Sequence, residues 1–375
     1  MKTQLMQQPH RIRYDILDGL RGVAAMMVLL YHVFNDAKSF YVAPVYEFFH
    51  GFLGVDFFFI LSGFVMGYAY DRQLRDKMTF GSFARRRLIR LHPMVVMGVL
   101  LGLVAYVIQG CVKWDGTPVS ADTLTLAVLL ALLLIPSPSG TDVRGNTEVF
   151  PLNGPHWSLF FEYIGSILYG LLLHRLPTRW IAAWVGCSIV SLAAFAMLQA
   201  DGGIAYGWSS QPVSLLGGAL RMLYAYPMGL LMARIFATRN PKPLTGHVFL
   251  SCSLALILLL GMPLLDGKWA ETAYQLGCIT ILFPALVWYG ARGMVCGWRQ
   301  RAVSFLGRLS YPLYAVHFPL IYLYIAWVGL DGHPYQTYLH PWAAAAMTII
   351  ASVILATLCL LLYDEPLRKR LGKTK

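Results

Sequence analysis

Long apolar blocks constrain this chain more than any other feature. They run at roughly 16–34, 51–70, 93–109, 158–173, 180–198, 214–236, 248–265, 272–290, 310–329 and 342–363, with a shorter one at 124–135. A helix needs about 20 apolar residues to cross a bilayer core. Inside lipid every backbone N–H and C=O must bond within its own segment, which favours helices. The blocks therefore predict an all-α polytopic membrane protein with about ten transmembrane helices. Composition agrees. The chain is 57% hydrophobic and 13% charged, about half the charge of an ordinary soluble domain. No stretch between the blocks is long or apolar enough to bury a soluble core, so residues 1–375 read as a single domain. The first block is not a cleaved signal, because it carries Asp18, Arg21 and His32 and no small-residue cleavage site follows it.

Loop charges orient the spans. Lys2, Arg11 and Arg13 precede the first block. The segment 71–92 carries seven Lys and Arg residues, among them Arg72, Arg75, Arg86 and Arg90. Further basic clusters follow at Arg175 and Arg179, around Arg234 and Arg239, around Arg299 and Arg301, and at Arg368 to Arg370. The loops 199–213, 265–272 and 330–341 are poor in both residues. Basic and non-basic loops alternate as cytoplasmic and external loops do. The block at 124–135 is short, and counting it as a span would put the two sides out of phase. It reads as re-entrant or interfacial, which leaves both termini cytoplasmic. The Pro-, Gly-, Thr- and Ser-rich region 110–157 then lies outside and caps the bundle.

The formal net charge is +12. In a soluble protein that would suggest nucleic acid. Here the basic residues sit in a few loops, with no aromatic–basic array for bases, and nucleic acid is discounted. The six cysteines are scattered with no CxxC, and most fall in apolar blocks. They read as small hydrophobes rather than as disulfides or metal ligands.

Ionisable groups inside spans are expensive, so each is a candidate functional residue. Arg21 and His32 stand eleven residues apart. On a helix that is three turns plus about 20°, so they share a face, roughly 16 Å apart along the axis. Such a face could line a path across the membrane. Equally, His32 could be an interfacial histidine and Arg21 a side chain reaching the inner surface. Asp56 stands near the outer end of the next block and could orient His32. Ser62 and Gly63 follow in mid-span, where small residues pack helices. In RRRLIRLHP, Arg86, Arg87 and Arg90 crowd one helical side. That crowding reads either as a topology signal or as a phosphate site, which arginine forks suit. The segment PHWSLFFE brings Trp157, Ser158 and the intramembrane Glu162. The segment LGRLSYPLYAVH places His317 near mid-membrane, with Ser310, Tyr311 and Tyr314 below it.

Together LDGLRGVAAMMVLLYH, FFFILSGF, RRLIRLHP, PHWSLFFE, LGRLSYPLYAVH and YDEPLR resemble the membrane acyltransferase-3 family. They occur in the family's order from Asp18 to Arg368. The family contains bacterial O-acyltransferases of lipopolysaccharide, capsule, peptidoglycan, nodulation factors and macrolides. The resemblance implies a protein of the bacterial cytoplasmic membrane. It implies acyl-CoA, often acetyl-CoA, as co-substrate on the cytoplasmic side, with no permanently bound cofactor and no metal. The acceptor implied is a hydroxyl on an extracytoplasmic or lipid-linked molecule, a glycan or glycolipid in the first instance. Carried over, His32 is the catalytic histidine with Arg21 its motif partner. Arg86, Arg87 and Arg90 match the donor motif, and Trp157, Ser158 and Glu162 match the outer motif, with Glu162 counted among the catalytic residues as a carboxylate that, like Asp56, could hold the His32 imidazolium. Asp18, Asp56, Ser62, Tyr311 and His317 fall in supporting or acceptor positions. Some relatives carry an added soluble esterase-like domain, which this sequence lacks. Ala315 stands where the family often has Leu. A transporter or flippase for a polar or acylated glycan is the rival reading, weakened because the halves show no inverted repeat. The histidines show no spacing suited to a bis-histidine haem. Oligomeric state is not legible.

Overall fold

In the computed structural model, which describes residues 14–36, 49–200, 202–328 and 341–373, the chain is a helical bundle with no strands among those residues. The termini, the basic residues Lys2, Arg11, Arg13 and Lys38, and positions 330–340 of the loop 330–341 lie outside the described residues. Helices α1 (Asp15–Tyr31), α2 (Gly54–Asp76) and α3 (Phe80–Ile108) come first. The short α4 (Ala121–Leu132) follows, then α5 (His156–Leu171), α6 (Thr178–Leu198), α7 (Pro212–Arg239) and α8 (Val248–Leu260). Next come α9 (Lys268–Gly277) and α10 (Phe283–Arg292), α11 (Gly297–Val316) and α12 (Phe318–Val328), then α13 (Pro341–Leu358) and α14 (Glu365–Lys373). Among the described residues, seven helical runs are long and apolar enough to cross a membrane. An eighth is added if α11 and α12, bent by 50° at His317, count as one.

Two sequence expectations change. The basic segment 71–92 is not a loop. Helix α2 runs to Asp76 and α3 begins at Phe80. Thr79 caps α3 by accepting from Ser82 N at 3.3 Å, a favoured N-cap arrangement. The arginines therefore sit on the first turns of a helix that continues through Pro93. They are also not gathered on one side, as described below. The short block at 124–135 is a 12-residue helix, about 18 Å long and too short to cross. It packs Ala127 and Ala131 inward and exposes Leu126 and Leu129.

Small residues bring the helices together. A side chain at Gly63 would overlap the carbonyl of Tyr226, and one at Gly229 would overlap that of Ile60. Helices α2 and α7 therefore touch backbone to backbone, the usual packing mode in lipid. Three buried ion pairs then tie α2, α3, α5 and α7. Arg221 meets Asp56 through two hydrogen bonds of 3.0 and 2.6 Å. Arg234 meets Asp71 through two of 3.0 Å. Arg87 donates to Glu162 at 2.8 Å. Each pair keeps a charge in a low-dielectric place only because its partner is there; removing one partner costs about 3–5 kcal/mol.

The loops between α3 and α5 and between α6 and α7 close one end of the bundle by bonding to each other. Val149 N donates to Trp208 O at 2.9 Å and Ser210 N to Thr147 O at 2.8 Å, while Trp114 N donates to Arg144 O at 3.0 Å within the first of these loops. Arg144 is buried beneath them, 3.4 Å from the Tyr322 ring centre. It donates to Gln109 at 2.7 Å and to the Pro151 carbonyl at 2.6 Å. Burial pulls this guanidinium below the ordinary arginine value, and Tyr322 and Glu148 oppose that shift.

Candidate functional site

Three cavities follow the Arg21–His32 face of α1. At the looped end lies a chamber of about 410 Å³. His32 and Asn35 reach it from the end of α1, and Trp157 from the start of α5. Arg221 reaches it from α7, Tyr314 from α11 and Glu148 from the capping loop. A narrow space of about 30 Å³ comes next, lined by Arg21, Ser158, Glu162, Tyr311 and Tyr314. A third, of about 100 Å³, opens at the other end between Asp18, Arg21, Arg90, Arg308 and Arg368. Val55 and Tyr314 line both the chamber and the narrow space. Arg21, Ser310 and Tyr311 line both the narrow space and the arginine cleft. The helical spacing that put Arg21 and His32 on one face thus corresponds to a line of cavities through the bundle.

Each part of that line has a local cause. At His32 the α-helix loosens into a π turn over His32–Asp36, a feature frequent at functional sites. The ring is partly exposed to the chamber and packs edge-on against Phe318, with centroids 4.8 Å apart. The neck is held by hydroxyls. Tyr314 and Ser158 share a hydrogen bond of 2.5 Å, and Tyr311 donates to the Leu91 carbonyl at 2.5 Å. At the cleft, Arg308 donates to Glu365 at 2.8 Å, and Arg368 is bonded to Asp364. With Arg308 and Arg368 so paired, Arg21 and Arg90 beside Asp18 carry the cleft's remaining positive charge, which suits an anion.

The structure brings some of the sequence candidates together and separates others. His32 and Trp157 share the chamber. Arg21, Ser158, Glu162 and Tyr311 share the neck. Asp18, Arg21 and Arg90 share the cleft. Asp56 does not reach His32 as an orienting group, because both its oxygens are bonded to Arg221. Glu162 takes Arg87 and also the Ser62 hydroxyl, at 3.1 Å, on one oxygen. Arg86, Arg87 and Arg90 of RRRLIR go to three places. Arg87 is buried against Glu162 and Ser166. Arg90 faces the cleft. Arg86 lies in a separate broad groove between the ends of α2, α3 and α7, with Arg75 and Lys77. His317 is buried beside His32, with ring centroids 5.4 Å apart.

Reasoning from sequence missed Arg221, Glu148, Arg308 and the cleft role of Arg368. Arg221 stands in the middle of the apolar block 214–236, so the rule that flagged Arg21 and Glu162 would have flagged it too. Arg308 and Arg368 were legible only as members of basic clusters. Glu148 lies in a loop, where a carboxylate carries no signal of its own.

The acyltransferase domain model matches residues 14–361. The chain is similar to protein 2 in the picA locus of Rhizobium radiobacter, 34% identical over 44% of this chain and 84% of the relative. It is similar to acyltransferase MdmB of Streptomyces mycarofaciens, 25% identical over 98% of this chain and 95% of the relative. It also resembles YrhL of Bacillus subtilis, named as a candidate peptidoglycan O-acetyltransferase. That match is 25% identical over 94% of this chain, and the chain covers 54% of YrhL. No solved structure matches.

Proposed function

The chain belongs to the acyltransferase-3 family and is an acyltransferase, and on that premise we propose that it moves an acyl group from cytoplasmic acyl-CoA to a glycan hydroxyl outside the membrane. Acetyl is the group proposed, and the acceptor is an extracytoplasmic or lipid-linked carbohydrate. The observation that carries this reading is the line of cavities from the arginine cleft to His32. Arg21, Arg90, Arg308 and Arg368 would hold the donor's phosphates, since guanidinium forks match phosphate oxygens. The pantetheine arm would then lie along the neck, with the thioester near His32. The acceptor would occupy the chamber, where Trp157 and Tyr206 offer faces for stacking and Glu148 and Asn146 offer hydrogen bonds.

The chemistry needs a base more than an activated donor, because a thioester is already reactive. The acceptor hydroxyl oxygen attacks the thioester carbonyl and its proton passes to a His32 ring nitrogen. The carbon–sulfur bond breaks, and His32 returns the proton to the departing CoA thiolate. Imidazole suits this double duty near neutral pH. Comparing envelope glycans from cells with and without the gene by mass spectrometry tests the proposal. Loss of an ester-linked mass increment is expected. An unchanged acyl pattern with altered glycan export would favour a transporter instead.

The proposal requires ten crossings, with α5 and α8 added to the eight longer spans and both termini in the cytoplasm of a bacterial inner membrane. A single cysteine at Asn146, in a cysteine-free background, should react with an impermeant maleimide on intact spheroplasts. One at Arg301 should react only after permeabilisation. Labelling of position 146 only after permeabilisation would invert the arrangement.

A further inference from the structure

We propose that His317 is the positioning residue for His32, holding that imidazole in one tautomer where a carboxylate is the usual partner. The proposal deepens the acyl-transfer reading and rests on it. His317 stands at the 50° break between α11 and α12, one turn beyond Pro312, and its side chain is 1% exposed. Its Nδ1 lies 2.9 Å from the Leu313 carbonyl oxygen. A carbonyl can only accept, so Nδ1 carries the proton and Nε2 is a bare lone pair. That Nε2 is buried and meets no hydrogen-bond partner among the described residues. A buried acceptor left without a donor costs about 1–3 kcal/mol, so the arrangement points to a donor that comes and goes.

His32 is placed to be that donor. Its ring lies 5.4 Å from that of His317, centroid to centroid, tilted by 33°. One water, or a small turn of either ring, joins a His32 N–H to His317 Nε2. A second imidazole, His156, is also close enough to act on His317, and both its ring nitrogens lack a hydrogen-bond partner among the described residues. The other neighbours are engaged or apolar. Tyr314, 5.9 Å from His317 between ring centres, shares its hydroxyl with Ser158. Phe318 packs against both histidines. The carboxylates bond elsewhere: Asp56 to Arg221, Glu162 to Arg87 and Ser62, and Glu148 to the Tyr322 hydroxyl.

The consequence is chemical. With one N–H directed at His317, the other His32 nitrogen is the one that carries the lone pair, and the residue lines the chamber where the acceptor hydroxyl would lie. A neutral orienting partner also leaves the transient imidazolium without a countercharge. The proton is then returned to the thiolate more readily than from a carboxylate-paired histidine.

The test uses His317→Ala, His317→Gln and His32→Ala in nanodiscs, with two readouts. The first is the rate at which diethyl pyrocarbonate modifies His32, followed by peptide mass spectrometry, which needs no substrate. The second is thiol release from acetyl-CoA with an envelope-glycan extract as acceptor. His317→Ala should lower kcat about 10- to 100-fold, part of what a positioned base contributes, at unchanged KM for acetyl-CoA. It should also slow His32 modification. His317→Gln, whose side-chain carbonyl accepts in place of Nε2, should restore most of both. Wild-type modification of His32 in His317→Ala overturns the proposal. So does an equal loss in the glutamine variant accompanied by a fall in thermal stability. If His32→Ala keeps its turnover, the base assignment fails by itself, and the modification rates still decide whether the two rings are coupled.

Discussion

Replacing His32 by alanine is expected to stop acyl transfer in a protein that still folds, inserts and binds donor. A positioned general base contributes about 10²- to 10⁴-fold in rate, and turnover should fall by that order. Three observations set the expectation. His32 is the histidine that lines the chamber, where the proposed acceptor and thioester meet. The carboxylate that lines the chamber, Glu148, accepts from the Tyr322 hydroxyl, and the next ones along the bundle are committed too, Asp56 to Arg221 and Glu162 to Arg87. The ring is partly exposed and stands at the end of α1, and it belongs to none of the three ion pairs that tie α2, α3, α5 and α7. Thermal stability should therefore hold, unlike the outcome for a packing histidine. The measurements are thiol release from acetyl-CoA by protein in nanodiscs, donor binding by calorimetry, and the unfolding midpoint. Near-wild-type turnover in His32→Ala would remove it as the base and make His317 the next candidate.

What could be read from sequence follows what lipid penalises. The apolar blocks marked the helical class and the seven or eight runs long enough to cross a membrane, because each must be continuous along the chain. Arg21, His32 and Glu162 stood out because a charge inside such a block is rare. The shared face of Arg21 and His32 followed from helix geometry alone. What remained hidden depends on which helices meet. Asp56 and Arg221 are 165 residues apart, and nothing in either segment says that they pair. The same holds for Arg87 and Glu162. Arg86, Arg87 and Arg90 looked like one cluster because helical angles place them within about 100° of one another. The neighbouring helices divide that arc into a buried core, a cleft and an outer groove.

The buried pairs and the cleft put arginine to opposite uses. Arg87, Arg221 and Arg234 are each neutralised by a carboxylate and knit helices. The cleft gathers Arg21, Arg90, Arg308 and Arg368; Glu365 holds Arg308 and Asp364 holds Arg368, which leaves Arg21 and Arg90 as its arginines outside any ion pair among the described residues. Like charges held together raise the energy of the empty protein, and a bound polyanion lowers it again. A structural arginine and a ligand-binding arginine should therefore respond to mutation with opposite signs of stability change.

Arg90→Ala is the sharpest case. Acyl-CoA affinity should fall about 10- to 100-fold, the loss expected for a hydrogen bond to a charged group at about 1.5–3 kcal/mol. Stability of the ligand-free protein should hold or rise, because repulsion with Arg21 and Arg368 is relieved. Arg90→Lys should recover only part of the affinity, since a point charge replaces the two-pronged guanidinium. Arg87→Ala should behave in the reverse way. It strands Glu162 in the core and should lower stability by about 3–5 kcal/mol, with loss of protein rather than a change in affinity. Arg86→Ala should change affinity by no more than about twofold, as an exposed substitution away from the cleft. Calorimetric titration of acetyl-CoA into each variant in nanodiscs, beside thermal unfolding without ligand, separates the three. If Arg86→Ala weakens binding as much as Arg90→Ala, the donor sits in the outer groove. The line of cavities to His32 would then lose its cytoplasmic end.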